Sequence, residues 1–218
     1  MEAKDRIKFR IGFSRMEKKY EWKDHLIFMG LLFGLAVWVN RGIEVKGLYM
    51  DDLYFWSCYG EQSFLQYVFP MGSTRFRFLY YLAAWLEMAV VGNHVSWFVP
   101  INILLNGALA CYLYGIACRL SGAKAIGFFT GVMFLSSRMA YYQIGQVLGL
   151  METIALWMAA AILWNLYQYI NEDHRDRLFL KACLLYFGVC FVHERYMSLF
   201  PLLILALIAV RCRRPVCI

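Results

Sequence analysis

The chain has 218 residues, of which 61% are hydrophobic and only 17% are charged, and its formal net charge is +7. An ordinary soluble domain has about a quarter of its residues charged, and a disordered chain has low hydrophobicity, so both classes are excluded. Because a transmembrane helix needs about 20 mostly apolar residues, the composition predicts a helical membrane protein that crosses the bilayer several times.

The first predicted element is an uncleaved transmembrane helix behind a basic N-terminus. Residues 1–25 hold eight of the 22 Lys and Arg residues, and an apolar run at residues 26–39 follows them. A signal peptide would end in a small-residue cleavage site, and none is present here. We therefore expect this segment to stay in the protein and to cross the membrane between about residues 22 and 40.

Six further apolar runs follow, and five of them are predicted to span the membrane: residues 95–118, 125–142, 147–169, 178–192 and 196–210. The remaining run, residues 78–92, contains Glu87 and follows Arg75 and Arg77. A carboxylate at the centre of a spanning helix costs about 2.5–3.5 kcal/mol. We expect Glu87 to extend its carboxylate to the membrane interface instead.

The distribution of Lys and Arg decides whether residues 78–92 cross. If they do not cross and the N-terminus is cytoplasmic, 16 of these cations lie inside and six outside; if they cross, the numbers become 10 and 12. The positive-inside rule favours the first arrangement. We predict an all-α polytopic protein with about six transmembrane helices: a cytoplasmic segment at residues 1–25, a membrane domain at 26–211 and a cytoplasmic tail at 212–218.

The long outer loop, residues 41–94, is predicted to carry helices that lie against the membrane. Apolar side chains recur at steps of three or four residues, which is typical of an amphipathic interfacial helix, at Leu53, Trp56, Gly60, Phe64, Tyr67 and Val68. Pro70, Gly72 and Ser73 predict the turn to a second, more apolar helix at residues 77–92.

Two adjacent carboxylates, Asp51 and Asp52, begin the interfacial helix on the predicted outer side. One interpretation is a capping pair, because the helix dipole stabilises carboxylates at a helix N-terminus. The other is a general base or a ligand pair for a divalent cation, Mg²⁺ or Mn²⁺, at the bilayer surface.

Further charged residues gather on the same side, together with the aromatic residues Tyr49, Tyr54, Tyr141 and Tyr142. The tripeptide His193-Glu194-Arg195 interrupts an apolar stretch, either as a turn whose charges compensate each other or as a contact for an anionic lipid headgroup. Arg75 and Arg77 are either loop charges or bidentate ligands for a phosphate. Glu152 opens the fourth span as if facing the same cavity.

The sequence lacks the motifs of several common functional classes. It contains no Walker loop, dinucleotide-binding glycine motif, HExxH motif or CxxC pair. Orientation in the membrane accounts for the basic excess, so we expect no nucleic-acid partner.

The chain resembles the GT-C fold glycosyltransferases, and within them the branch that uses polyprenyl-phosphate sugars, which includes protein mannosyltransferases and the lipid A aminoarabinose transferase. The similarity extends over roughly residues 26–210. Its motifs are Tyr49-Met50-Asp51-Asp52, Arg75-Phe76-Arg77, Asn93-Val95-Ser96 at the start of the second span, the basic turn at residues 119–124, and His193-Glu194-Arg195 ahead of Pro201. Two positions depart from the family pattern: Phe78 replaces a proline, and His193-Glu194 replaces a lysine-acid pair.

The resemblance implies transfer of a sugar from a polyprenyl phosphate to a hydroxyl of a glycan, lipid or protein on the outer face, with inversion of the anomeric centre. It implies a catalytic role for Asp51 and Asp52, with Asp51 as the base. The substrate-binding residues that it implies are Arg75, Arg77, Glu152, His193, Glu194 and Arg195. A Mg²⁺ or Mn²⁺ ion would be held by Asp51 and Asp52.

Two other classes stay open, a fragment of a transporter or lipid flippase and a non-catalytic membrane subunit. Transporters tend to bind their substrates near the midplane on broken helices, whereas the charges here lie at one surface, which favours the enzyme. Since such enzymes carry further spans and often a soluble domain, we expect this chain to be the N-terminal portion of a larger enzyme of the bacterial plasma membrane.

Overall fold

The computed structural model describes residues 22–44, 48, 50–70, 75–92, 94–146, 149–171 and 176–213, without the side chains of Met50, Asp51 and Arg213. Within these ranges every regular element is helical. The α-helices are α1 (Trp22–Val39), α2 (Met50–Glu61), α3 (Phe64–Val68), α4 (Phe78–Val91), α5 (Phe98–Ser121), α6 (Lys124–Leu135), α7 (Arg138–Ile144), α8 (Gly149–Asn171), α9 (Asp176–Cys190) and α10 (Phe200–Arg213). Short 3₁₀ segments, Val95–Trp97 and Glu194–Leu199, precede α5 and α10.

Four helical segments are long and apolar enough to cross a membrane, which supports the predicted class of integral membrane protein. They are Trp22–Val39, Val95–Ser121, Gly149–Asn171 and Glu194–Cys212. The predicted spans at residues 125–142 and 178–192 form shorter helices: α6 has 12 residues and α9 has 15. At 1.5 Å per residue these helices measure about 18 and 22 Å, less than the hydrocarbon core of about 30 Å.

The predicted span at residues 125–142 is divided in the structure. Helix α6 ends at Leu135, and α7 begins at Arg138. Ser137 causes the division, because its hydroxyl accepts a hydrogen bond from the Ala140 amide at 3.2 Å and so begins a new helix.

Helices α1, α5 and α6 pack into one unit. Leu32 and Ala36 of α1 are completely buried in it. At one end, Lys124 forms an ion pair with Asp24. At the next residue of α1, the hydroxyl of Tyr114 lies 2.6 Å from His25 Nδ1. These contacts join the start of α1 to the start of α6 and to α5.

Glycines allow α6 to approach its neighbours closely. A Cβ atom at Gly127 would lie 2.3 Å from Cys118 Sγ and 2.8 Å from the Tyr114 carbonyl oxygen. One turn later, a Cβ atom at Gly131 would lie 2.8 Å from Leu32 of α1. The Gly-x-x-x-Gly spacing of these residues is the small-residue pattern with which membrane helices bring their backbones together.

A second unit contains α8, α9, α10 and the helices between α1 and α5. Helix α9 runs antiparallel to α8. Two contacts show this: Gly188 lies against Met158, and His193 Nε2 lies 3.1 Å from Glu152 Oε1. The segment from α6 to α7 returns along α5 in the same way, since Asn102 Nδ2 donates to the Gln146 carbonyl at 3.2 Å.

The bundle therefore has two distinct ends. We call the end with Glu152 and His193 the site end; α1 finishes there, and α5, α8 and α10 begin there. The other end, where Lys124 pairs with Asp24, we call the opposite end. The predicted cytoplasmic segments at residues 1–25 and 212–218 lie mostly outside the described residues.

Helices α2, α3 and α4 pack against one another, and α4 also contacts α8. Helix α4 begins beside Glu194, which Arg77 contacts, and it finishes close to the 3₁₀ segment that opens α5. Both ends of α4 thus lie at the same end of the bundle, so α4 runs across the bundle rather than along it.

The structure divides the interfacial helix that we predicted from Leu53 to Val68. Helix α2 ends at Glu61, and α3 begins at Phe64. The reason is a capping box, in which the Ser63 amide donates to Gln66 Oε1 at 3.1 Å and the Gln66 amide donates to Ser63 Oγ at 3.5 Å. The predicted turn after Pro70 falls largely on residues 71–74, which lie outside the described residues.

Candidate functional site

A cavity of about 450 Å³ lies at the site end. It is formed by side chains from α2, the loop before α4, the first turn of α4, the end of α7, the start of α8 and the segment after α9. The lining residues are Tyr54, Phe55, Arg75, Arg77, Tyr81, Tyr142, Met151, Glu152, His193, Glu194 and Arg195. All six residues that we predicted as substrate-binding therefore line one cavity, although 120 positions separate the first from the last.

Arg77 anchors one wall of the cavity. Its Nε donates to Glu194 Oε2 at 2.6 Å, and its Nη2 donates to the other carboxylate oxygen. The Arg77 side chain is only 11% exposed. Arg75 approaches the same carboxylate, with its Nε 3.9 Å from Glu194 Oε1. Glu194 thus satisfies much of the charge of Arg77 and fixes the loop before α4 against the start of α10.

His193 and Glu152 form a second hydrogen-bonded pair in the cavity lining. His193 is 2% exposed, and its Nε2 lies 3.1 Å from Glu152 Oε1. Arg195 Nη1 donates to the same oxygen at 3.3 Å, and the Arg195 amide donates to His193 Nδ1 at 3.4 Å. Since Nδ1 accepts this hydrogen bond, Nε2 carries the proton and donates it to Glu152.

The environment of His193 keeps its imidazole neutral at pH 7. Burial lowers the pKa of His193, the Glu152 carboxylate opposes this effect, and the guanidinium groups of Arg77 and Arg195 add to it. The neutral ring serves as a rigid hydrogen-bonding link between the backbone of the 3₁₀ segment and Glu152.

The cavity carries a net positive charge. Three arginines and two glutamates line it, and its histidine is neutral. The side chains of Arg75 and Arg195 are 65% and 75% exposed, so these two cations lie at the cavity mouth. Guanidinium groups bind phosphate with paired hydrogen bonds, and the remaining wall supplies the aromatic faces of Tyr54, Phe55, Tyr81 and Tyr142.

Of the two aspartates of the acidic motif, the structure describes the side chain of Asp52 alone. Asp52 does not line the cavity; its carboxylate is close enough to Glu87 and Tyr80 to raise the pKa of both groups. Asp51 belongs to α2, but its side chain lies outside what the structure describes.

Glu87 does not reach the membrane interface as we predicted. It is 7% exposed, and neither carboxylate oxygen has a hydrogen-bond partner among the described residues. Burial raises the pKa of Glu87 to about 8, and Asp52 adds to this effect. A neutral carboxyl group is much cheaper to bury than a carboxylate, so Glu87 is mostly protonated at pH 7.

The described residues do not form a divalent-cation site. No group of three or more His, Cys, Asp and Glu side chains suits a metal ion within the described ranges. Both carboxylates in the cavity, Glu152 and Glu194, already accept hydrogen bonds from cationic side chains. The predicted Mg²⁺ or Mn²⁺ ion at Asp51 and Asp52 stays a prediction, because the Asp51 side chain lies outside the described part.

The sequence analysis missed three lining residues, Phe55, Tyr81 and Met151, and a group of buried amides. Tyr81 follows Arg77 by one helical turn, so the register of α4 was a usable signal. Asn102, Asn106 and Gln143 are completely buried between α5 and α7. Polar residues inside apolar runs would have indicated this second group.

Comparisons with known proteins identify no relative. No protein-family model, curated protein or solved structure matches this chain.

Proposed function

We propose that this chain is a membrane glycosyltransferase of the GT-C type, or the catalytic portion of one. It would transfer a sugar from a polyprenyl phosphate to an acceptor hydroxyl, with inversion of the anomeric centre. The observation that carries the proposal is the positively charged, partly aromatic cavity at one end of a helical membrane bundle, to which α2 contributes Tyr54 and Phe55.

The membrane arrangement that we propose has six crossings and the site end outside. The segment from α6 to α7 and the helix α9 each return from the opposite end to the site end, so each is counted as a crossing despite its short helix. Helix α4 has both ends at the site end and is counted as interfacial. The basic segment at residues 1–25 leads into α1, which begins at the opposite end, and the positive-inside rule then assigns that end to the cytoplasm.

The phosphate of the donor would bind at the cavity mouth between Arg75 and Arg195. Their guanidinium groups are largely exposed there, while Arg77 is held by Glu194 farther inside. Glu152 and His193 would position Arg195 through the hydrogen bonds on their shared wall. The isoprenoid tail would remain in the adjoining lipid.

The acid–base chemistry belongs to Asp51 in this proposal. Residues three and four apart share a helix face, and Tyr54 and Phe55 line the cavity, so the spacing along α2 supports Asp51 as the base. Asp51 would accept the proton of the acceptor hydroxyl while the oxygen of that hydroxyl bonds to the anomeric carbon. The bond from that carbon to the phosphate oxygen would break, and the arginines would stabilise the departing polyprenyl phosphate.

Reconstitution tests the proposal directly. The chain is placed in liposomes with a radiolabelled polyprenyl-phosphate sugar and a mixture of glycan, lipid and peptide acceptors. We expect label to appear in an acceptor and unlabelled polyprenyl phosphate to accumulate. Transfer from a nucleotide sugar without the lipid donor would assign the chain to another class. Loss of transfer in EDTA, with recovery in Mg²⁺ or Mn²⁺, would support the predicted metal ion.

One observation favours a transporter as the second candidate. The helix broken between α6 and α7 lies beside buried amide groups of Asn102, Asn106 and Gln143, some of whose atoms have no hydrogen-bond partner within the described residues. Transporters bind substrates at such broken helices. Movement of labelled polyprenyl-phosphate sugar between leaflets, without transfer to an acceptor, would favour this candidate.

A further inference from the structure

A lengthwise groove of about 310 Å³ lies between α1, α5 and α8, toward the opposite end of the bundle and away from the cavity. Its lining includes Met29, Tyr112, Gly115, Arg119, Trp157 and Trp164. A second groove of about 330 Å³ adjoins it and shares Met29, Gly115 and Arg119. None of the lining residues belongs to the glycosyltransferase site.

An aromatic stack forms one side of the groove, and the position of Gly115 leaves it open. Tyr112 and Trp157 stack with ring centroids 4.9 Å apart and planes inclined by 15°, which joins α5 to α8. Gly115 lies between the two grooves, and a Cβ atom placed there would meet no atom within 4 Å. The glycine therefore leaves space that no side chain of the described residues fills.

Arg119 is the one cation among the described residues that line the groove. Arg119 lies in the last turn of α5, and its guanidinium group lies 5.7 Å from the centre of the Trp164 ring. No carboxylate of the described residues forms an ion pair with Arg119. Lys124 adds a second positive charge at the same end, although it is paired with Asp24.

The groove has the direction and depth of a lipid acyl chain. It extends along α5 from Arg119 to Ala108, which corresponds to about 16 Å at 1.5 Å per residue. Arg119 is thus at headgroup depth, and the apolar end of the groove approaches the middle of the bilayer.

We propose that this groove binds one anionic phospholipid of the leaflet at the opposite end, with an acyl chain along α5 and the phosphate on Arg119. Apolar side chains bury the chain, and the guanidinium group gives the preference for a negative headgroup. Trp164 holds the guanidinium group through a cation–π contact and so orients it toward the lipid phosphate. The bound lipid fills the space between α1 and α8.

Native mass spectrometry of the purified chain tests this proposal, with phosphatidylglycerol or phosphatidylcholine added to the detergent. We expect one phosphatidylglycerol to be retained roughly fivefold more than phosphatidylcholine, the factor that corresponds to about 1 kcal/mol for one basic residue at an anionic surface. Arg119→Gln should abolish this preference. Arg211→Gln, an exposed cation of α10 at the same end, is the matched control and should keep it.

A second pair of variants tests the groove itself. Gly115→Leu fills the open space and should reduce the retention of both lipids. Gly34→Leu, on the exposed side of α1 where a Cβ atom also meets nothing within 4 Å, should leave retention unchanged. Circular dichroism and thermal unfolding confirm that each variant is folded.

Three results would overturn the proposal: equal retention of the two lipids by the unmodified chain, no difference between Arg119→Gln and Arg211→Gln, or a dimer of this chain that Gly115→Leu dissociates. The last result would show that a second protein copy occupies the groove. None of these measurements depends on sugar transfer.

Discussion

Individual side chains of the cavity serve different purposes, and the arginines illustrate this best. Arg77 is 11% exposed and makes a bidentate contact with Glu194, whereas the Arg195 side chain is 75% exposed and donates one hydrogen bond to Glu152. Removal of Arg77 leaves the Glu194 carboxylate without its bidentate partner, with only the longer contact to Arg75. We expect Arg77→Gln to lower the free energy of unfolding by about 1–3 kcal/mol.

The matched control is Arg195→Gln, which we expect to change stability by less than about 1 kcal/mol because exposed ion pairs contribute little. Thermal unfolding of both variants in the same detergent makes the comparison. Equal destabilisation by the two substitutions would contradict the different roles of the two arginines.

His193 predicts a loss of stability in acid. Its pKa is below the ordinary value of about 6.5 in the folded protein, so the unfolded chain binds the proton more readily. The contribution of the neutral ring is present above about pH 6.5 and is lost as the pH falls. Melting temperatures between pH 7.5 and 5 should therefore decline more steeply for the unmodified chain than for His193→Gln. Parallel curves would show that His193 is not buried in a neutral form.

The raised pKa of Glu87 predicts the opposite dependence of stability on pH. Its pKa of about 8 exceeds the ordinary value, so the folded protein holds the proton more tightly than the unfolded chain. This contribution is present at low pH and is lost as the pH rises through about 8. Glu87→Gln, which resembles the protonated form, should lose less stability than the unmodified chain between pH 6 and 9. A variant with the same alkaline decline would contradict the burial of this carboxyl group.

The two aspartates distinguish catalysis from structure. If Asp51 is the general base, Asp51→Asn should lower the rate of transfer by about 10²–10⁴-fold, the usual contribution of a positioned base, with normal membrane insertion. Asp52→Asn should have a smaller effect on the rate, because Asp52 is close to Glu87 and does not line the cavity. Radiolabel transfer measures both rates. Near-normal turnover of Asp51→Asn would remove the catalytic role.

Among the elements, the contact between α5 and α6 depends strongly on one glycine, Gly127. At Gly127 even one methyl group would lie 2.3 Å from Cys118 Sγ and 2.8 Å from the Tyr114 carbonyl oxygen. We expect Gly127→Ala to destabilise the protein by about 1–3 kcal/mol, the typical cost of overpacking. Gly115→Ala is the control, since a Cβ atom there meets nothing within 4 Å. Thermal unfolding should separate these variants, and equal stability would contradict the close approach of the two helices.

The sequence did not predict that two helices would be divided, one between α2 and α3 and the other between α6 and α7. Apolar residues continue through residues 125–142, and a periodic pattern does not reveal that Ser137 begins a new helix. The same limit applies at Ser63, because a serine within an amphipathic pattern caps a helix only if the chain turns there. Both divisions depend on hydrogen bonds that compete with helix continuation.

At the scale of the whole molecule, composition predicted the helical membrane class, because 61% of the residues are hydrophobic and only 17% are charged. The four long apolar helices support this prediction. The sequence also indicated which ionic residues lie on one side. It could not indicate their partners: Arg77 and Glu194 are 117 positions apart, and Glu152 was an equally plausible carboxylate. Partner choice depends on the three-dimensional path of α9 along α8.

The six-crossing arrangement predicts which loops are accessible. In a variant without its native cysteines, a cysteine at Ser96 should react with a membrane-impermeant maleimide from outside the cell, because the 3₁₀ segment Val95–Trp97 lies at the site end. A cysteine at Ser121, at the opposite end, should react only after the membrane is permeabilised. The reverse labelling pattern would contradict the proposed orientation, and labelling of both from outside would contradict the crossing by α5.

The most direct test of the proposed function is the binding of polyprenyl phosphate to the purified chain, compared with the uncharged polyprenol. Since binding precedes chemistry, this measurement needs no turnover. We predict clear preference for the phosphate, and about tenfold weaker phosphate binding in Arg75→Gln/Arg195→Gln with unchanged polyprenol binding, as expected for lost charge-assisted hydrogen bonds. Equal affinity for the two lipids, or phosphate binding that the double variant leaves unchanged, would contradict a cavity built for a lipid phosphate.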